Sequence, residues 1–322
     1  MTTRHRLTPA IADTRRAVRA LLPAEGTVLV ALSGGPDSLA LAAATAFEAR
    51  GRAGAVIVDH GLQDDSAAIA AFAAEQASTL GLDPVIVKRV AVGSTGGPEA
   101  AARDARYAAL SEAAQQQGAA AVLLGHTLDD QAETVLLGLA RGSGATSLHG
   151  MDAVTGLYRR PLLGIRRSTT LQACEDAALT PWTDPHNSDP AFTRVRVREG
   201  VLPLLERELG PGVAEALART AAQLREDSAA LDHFAEEIIE ELAEIAEAGI
   251  SLPVSALASN PAALRQRLIR LAVLGEFHVS LSRAHTLEVA RLVTDWHGQG
   301  PIDLPGVRVS REGGLIVFSG AG

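Results

Sequence analysis

The sequence predicts a doubly wound α/β domain, a parallel sheet with helices on both faces, followed by a smaller and mainly helical domain. Three observations carry this. Short apolar runs alternate with helical stretches through the first half of the chain. That alternation stops after Gly142, and from about Pro211 the sequence turns helical and acidic. At 322 residues the chain is also longer than one hydrophobic core usually organises.

The elements follow in order. The N-terminal stretch MTTRHRLTPAIADTRRAVRALL scatters basic residues among apolar ones. It reads as an amphipathic helix and lacks the uninterrupted apolar segment of a secretion signal. Residues 27–33 (TVLVALS) form a first strand, with a helix through LALAAATAFEAR. Residues 54–60 (GAVIVDH) form a second, with a helix over about 64–81. Residues 83–90 (DPVIVKRV) form a third, and the loop AVGSTGG leads to a helix opening at Pro98, a favoured first-turn position. Residues 120–126 (AAVLLGH) form a fourth, with a helix through DDQAETVLLGLA. Apolar strands spaced by helices indicate a parallel sheet buried on both faces. A Gly- and Arg-rich stretch then runs to about Arg167, STTLQACEDAAL reads as a helix and LTPWTDPHNSDPAFT as a loop. The expected boundary lies near Leu205, giving a catalytic domain over 1–205 and a substrate-binding domain over 206–322. Residues 231–247 carry many acids and no Lys or Arg, and IDLPGVRVSREGGLIVFSG reads as two short strands around a Gly-Gly turn.

Composition narrows the function. Hydrophobic residues make up 47% but aromatics only 3%, so the cores are built from Ala, Val, Leu and Ile. No apolar run reaches the roughly 18 residues of a membrane span. The single cysteine, Cys174, excludes an intrachain disulfide and a Cys-rich zinc site, reads as buried packing, and suits a reducing cytoplasm. A net charge of −9 argues against general coating of nucleic acid but leaves room for a local basic surface. Lys88 is the only lysine, so no Walker-type phosphate-binding lysine stands anywhere else.

Two motifs carry chemistry. Ser33-Gly34-Gly35-Pro36-Asp37-Ser38 follows a strand and opens a helix. The glycines permit close backbone approach, and the helix N-terminus offers N–H groups to an anion. Asp37 would repel a phosphate by itself; a bridging divalent cation gives it a purpose. The plainer alternative is a tight turn with an acidic cap. The second motif, Gly125-His126-Thr127-Leu128-Asp129-Asp130-Gln131-Ala132-Glu133-Thr134, sits at another strand-to-helix junction. Asp130, Glu133 and Thr134 share one helical face, although acids in a first turn are common in any helix. Both motifs lie at carboxyl ends of strands, where open α/β sheets bind ligands.

SGGPDS resembles the pyrophosphatase-loop signature of enzymes that split ATP into AMP and pyrophosphate. Combined with GHTLDDQAET, the RGSG at Arg141, VDHGLQ at Val58, PEAAARDARYAAL at Pro98, RRPLL at Arg159 and TDPHNSDPAFTRVRVREGVLPLLE at Thr183, it resembles the tRNA(Ile)-lysidine synthetase family. The likeness is strong over about two-thirds of the chain and general beyond Leu205. Val195 stands where the family usually has Asn and Gln63 where it often has Arg, and the C-terminal part is shorter than in the longest members.

The resemblance implies an adenine nucleotide α-hydrolase-like fold and a two-step reaction. A carbonyl oxygen of the wobble cytidine in tRNA(Ile) with a CAU anticodon attacks the α-phosphorus of ATP. The amine of free L-lysine then displaces AMP. It implies ATP binding by Ser33, Gly34, Gly35, Pro36, Asp37 and Ser38, and Mg2+ on Asp37 and Asp130. Catalytic roles fall on His126, Asp129, Asp130, Glu133 and Arg103, with the acids holding the lysine or taking its proton. Arg194, Arg196 and Arg198, with Arg166 and Arg167, are the expected tRNA contacts, since Arg suits bidentate phosphate contact. A second copy of the chain is a candidate partner. A tRNA-thiolating enzyme of the same superfamily, or a non-catalytic ATP-binding module, remains open. The single cysteine weighs against the first.

Overall fold

Val28–Ala31 (β1) is apolar throughout and alternates between two cores. Val28 and Val30 face one side of the sheet and Leu29 the other, as the two-residue period of a strand requires. The computed structural model describes residues 7–61, 65–93, 97–142, 145–182, 189–242, 244–246 and 249–320. Gln63, Ser143, Gly144 and residues 183–188 of the TDPHNS segment lie outside them. The chain divides into units of residues 1–222 and 223–322.

In the first unit, α1 (Pro9–Leu21) precedes β1, followed by α2 (Pro36–Glu48), β2 (Ala53–Asp59), α3 (Ser66–Thr79), β3 (Val85–Arg89), α4 (Pro98–Gln117), β4 (Ala121–Leu123) and α5 (Leu128–Ala140). These match the alternation expected from sequence. The Gly- and Arg-rich stretch holds more structure than expected: a short α6 (Ala145–Leu148), then a hairpin of β5 (Val154–Thr155) and β6 (Tyr158–Arg159). β6 pairs parallel with β4, with Val122 opposite Tyr158, so the sheet runs β3-β2-β1-β4-β6-β5 with only β5 antiparallel. A 3-10 turn at Pro161–Gly164 leads to α7 (Arg167–Asp176). Then come α8 (Thr193–Arg196), a π turn (Val197–Val201), α9 (Leu202–Leu209) and α10 (Val213–Leu242).

One face of the sheet is covered by α1, α2, α3 and α7, through Val18, Leu39, Leu41, Ala73 and Ala173. The other is covered by α4, through Leu110, Ala113 and Ala114. The chain leaves β1 for β2 and β3 on one side and returns to β4 on the other, so β1 and β4 are neighbours at the point where strand order reverses. Their loops are therefore adjacent although far apart in sequence. A smaller cluster of Leu128, Ala132, Val197, Leu202 and Ala214 packs α9 and the first turns of α10 against α5.

The second unit contains the remainder of α10, α11 (Val254–Ser259), α12 (Ala262–Phe277) and α13 (Arg283–Thr294). It also holds an antiparallel sheet of β7 (Glu244–Ala246), β8 (Gly249–Pro253), β9 (Ile302–Leu304), β10 (Val307–Glu312) and β11 (Leu315–Gly320), in the order β7-β8-β11-β10-β9. Its core is built on Leu252, Leu257, Leu268, Ile269, Val273 and Phe318. The Gly-Gly turn joins β10 to β11 as expected from sequence, and three further strands extend that hairpin. No described helix is long and apolar enough to cross a membrane.

Candidate active site

The loop at residues 33–38 is held by its own hydroxyls. Ser38 Oγ donates to Gly35 O at 2.9 Å and lies 3.0 Å from Ser33 Oγ, and it accepts from Ser33 N at 3.2 Å. Gly34 has φ of +85°, which a side chain would strain, and its carbonyl accepts from Trp182 N at 2.9 Å. Gly35 caps α2 without a side chain, and Pro36 occupies the first turn. The first N–H groups of α2 are left for an anion.

The second loop packs directly beneath. A Cβ on Gly125 would meet Ser38 N and Cα at 3.1 Å, so glycine is what lets the two loops touch. Thr127 and Asp130 form a reciprocal cap: Asp130 Oδ2 accepts from Thr127 N at 2.8 Å and from its hydroxyl at 2.9 Å. This fixes Asp130 with Oδ1 turned toward Arg167.

Around these loops acids and arginines interlock. Arg167 donates from Nε to Asp37 Oδ2 at 3.1 Å and from Nη2 to Asp130 Oδ1 at 2.8 Å, and its Nη1 lies 3.5 Å from Glu133 Oε1. Its backbone N–H donates to Asp129 Oδ2 at 2.7 Å. Thr170 Oγ1 donates to Asp37 Oδ1. Glu133 is fully buried and takes Arg198 through both oxygens, at 2.7 and 3.1 Å, with Arg194 at 3.5 Å. Arg166 pairs with Asp129 at 3.1 Å and donates to Glu215 at 2.9 Å. A cavity of about 210 Å³ opens here, walled by Asp129, Glu133, Arg166, Arg198 and Glu206.

These surroundings set the charges. Burial pushes Asp37 above the ordinary carboxylate range, opposed by Arg167 and Thr170. Burial also acts on Asp130, but Arg167 and the Thr127 N–H outweigh it and hold that carboxyl low. The same carboxylates push the Arg167 guanidinium upward against its own burial. Burial, helped by Arg160, Arg106 and Arg103, brings His126 down to about 4, so its ring is neutral at pH 7. Its Nδ1 has no hydrogen-bond partner among the described residues.

The structure thus brings together the 33–38 loop, His126, Asp129, Asp130 and Glu133, and it draws Arg166, Arg167, Arg194 and Arg198 onto the acids. Arg196 points elsewhere: it is exposed and donates to the carbonyls of Pro190 and Ala191 at 2.7 and 2.9 Å. Arg103 is also exposed, over the Tyr107 ring. Its neighbour Arg106 is less exposed and depresses both His60 and His126 electrostatically. Sequence reasoning passed over Arg106; the helical spacing of Arg103, Arg106 and Tyr107 was the available signal, without a partner to rank them. Val195 is buried packing, consistent with an apolar residue at that position. Cys174 packs under the loop with Sγ 3.4 Å from Pro36 O, and burial pushes its thiol up to about 12.

Among the described residues no three His, Cys, Asp or Glu side chains converge as a metal cage. Asp37 and Asp130 nonetheless already share one cation, the Arg167 guanidinium. Two carboxylates suit magnesium, which keeps waters and phosphate oxygens in its remaining positions.

Residues 9–205 match the PP-loop domain family and residues 252–315 the TilS substrate binding domain. The tRNA(Ile)-lysidine synthase of Leifsonia xyli subsp. xyli is 64% identical, covering 90% of this chain and 89% of that one. That of Thermobifida fusca is 53% identical, covering 96% and 98%. Among solved structures, the U34-tRNA thiolase NcsA from Methanococcus maripaludis superposes with a TM-score of 0.55 at 21% identity, covering 67% of this chain and 80% of that one. That likeness concerns the fold.

Proposed function

The chain belongs to the tRNA(Ile)-lysidine synthase family, and on that premise we propose that it joins free lysine to the wobble cytidine of tRNA(Ile) bearing a CAU anticodon, using ATP. The observation that carries the reading is the contact between the 33–38 loop and the acid-bearing 125–134 loop at neighbouring strand ends, in a chain this similar to named synthases.

In the first step the cytidine carbonyl oxygen bonds to the α-phosphorus of ATP and the bond to pyrophosphate breaks. The serine hydroxyls and uncapped N–H groups at 33–38 receive the departing phosphates. Magnesium, held by Asp37 and Asp130, would supply charge neutralisation on the phosphate oxygens. In the second step the lysine ε-amine bonds to the adenylated base carbon and AMP leaves. That amine has a reference pKa near 10.4, so it must lose a proton before it attacks. The 210 Å³ cavity, walled by Asp129, Glu133 and Glu206, is the proposed lysine site, with those acids and Asp130 to hold its charge or accept its proton. Neutral His126 can accept or donate a hydrogen bond beside the reacting base, and Arg103 is assigned to the rim.

The tRNA contacts are assigned to Arg196 as the exposed member, and to Arg166, Arg194 and Arg198 where they exchange carboxylates for phosphates; Arg167, paired with Asp37 and Asp130, is kept for the ATP side of the site. Residues 1–205 are assigned the chemistry and 206–322 the binding of tRNA. A homodimer and a cytoplasmic location complete the proposal. The test is incubation with ATP, radiolabelled lysine and a tRNA(Ile) transcript with a CAU anticodon. Label in the RNA, accompanied by AMP and pyrophosphate, is the expected result; pyrophosphate release that ignores lysine and tRNA would refute it.

A further inference from the structure

Arg167 pairs with acids of both loops, Asp37 from the first and Asp130 from the second. We propose that Arg167 is an exchanging phosphate anchor. Its guanidinium stands between these carboxylates, where a bridging cation would have to sit, and when ATP enters with its metal it leaves them for the triphosphate.

The proposal rests on reading this site as the ATP site, and four observations support it. Asp37, Asp130 and Glu133 are each already paired with a guanidinium, from Arg167, Arg194 or Arg198, so each has a cationic partner supplied by the chain itself. A magnesium ion placed between Asp37 and Asp130 would meet the Arg167 charge head-on, and like charges cannot share that position. The residue is also hinged for movement. Its main chain is pinned by the Asp129 contact at 2.7 Å and by the start of α7, while its side chain keeps rotatable bonds and remains 21% exposed. Finally, the guanidinium fork fits phosphate oxygens as well as carboxylate oxygens. It already reaches Asp37, which lies in the loop assigned to the phosphates. The opposing idea is a fixed strut, in which Arg167 stays on Asp37 and Asp130 and merely orders them.

The two ideas predict opposite signs for a cation. The full chain and its R167M and R167K variants, first checked for folding by circular dichroism, are titrated with Mn2+ alone by electron paramagnetic resonance. They are then titrated with ATP at saturating Mg2+ by calorimetry. With exchange, R167M removes the competing cation and binds Mn2+ about five- to tenfold more tightly, yet binds ATP about tenfold more weakly for loss of one charge-assisted contact. R167K keeps the charge but not the fork, so its Mn2+ affinity stays within about twofold of wild type while ATP weakens severalfold. If R167M does not fold, R167K decides between the two. Mn2+ binding that weakens in either variant together with ATP would establish the strut, and ATP affinity unchanged in both would remove the phosphate contact. Wild-type chain that binds no ATP would overturn the site assignment itself, which separates that failure from failure of the exchange.

Discussion

Asp37 is gripped by Arg167 and Thr170, yet its burial disfavours the charge it carries. The two effects oppose, so its removal should change stability little while damaging the chemistry. Asp37→Ala is expected to reduce lysine- and tRNA-dependent pyrophosphate release by about a hundredfold or more, with a melting temperature near that of wild type. Turnover that survives with magnesium would dismiss the role given to this carboxylate. Asp130 does two jobs on two oxygens: Oδ2 caps α5 and Oδ1 meets Arg167. Asp130→Asn keeps an oxygen for the cap, so stability should fall by only about 1 kcal/mol, while adenylation falls far more. Measuring both on one variant separates cap from catalyst. His126 gives a pH prediction. Its folded pKa of about 4 lies below the unfolded value, so its contribution to stability is full above about pH 6.5 and is lost as pH falls toward 4, up to about 3 kcal/mol. His126→Gln should flatten the denaturation midpoint across that window; an unchanged slope would mean the ring is not buried neutral. At this scale sequence named the acids, because acids opening a helix after a strand are conspicuous. It did not show that Arg167 faces inward, since an arginine's direction is set by which carboxylates fold beside it.

At the scale of elements, two glycines do comparable steric work with different consequences. A Cβ on Gly54 would lie 2.6 Å from Pro84 O, in the body of the sheet, and one on Gly125 would lie 3.1 Å from the Ser38 backbone. Both alanine variants should lose about 1–3 kcal/mol from overpacking. Only Gly125→Ala should also weaken ATP, because only there is the displaced backbone the 33–38 loop. Equal ATP affinity in the two variants would show that the loops are not mechanically joined. The elements themselves were legible where apolar runs were long enough to show a period, as in β1 to β4 and their helices. β5 and β6 have two residues each and carry Tyr158 and Arg159, so no period could announce them. β4 makes β6 a strand, through the pairing of Val122 with Tyr158, and β6 in turn pairs with β5.

For the whole molecule, a net charge of −9 must coexist with a polyanionic substrate. Long-range repulsion leaves binding to local arginines, but not all are equally available. Arg196→Ala should flatten the slope of log affinity for tRNA against log salt by about 0.7–0.9 and leave stability intact. Arg198→Ala instead strips a fully buried Glu133 of its closest partner and should cost about 3 kcal/mol of stability. A salt slope unmoved by Arg196→Ala would transfer the RNA surface to Arg265, Arg267 and Arg270 on α12. Sequence distinguished a sheet-based part from a helical, acidic part by the change in pattern. It could not apportion α9 and the first turns of α10, whose Leu202 and Ala214 join the small core on α5, because an apolar helical face does not say which core receives it.

The strand order has a consequence for synthesis on the ribosome. β1 is flanked by β2 and β4, and the residues that finish the site stretch as far as Arg198. At about 5–20 residues per second, roughly 8–30 s separate the emergence of Ser33 from that of Arg198. Until β4 has emerged, the β4-facing edge of β1 is an unpaired template that another nascent chain could occupy. A ribosome-stalled chain ending before Arg167 should therefore have both motif loops and yet fail to retain ATP, so the growing polypeptide cannot spend nucleotide before the whole catalytic unit exists.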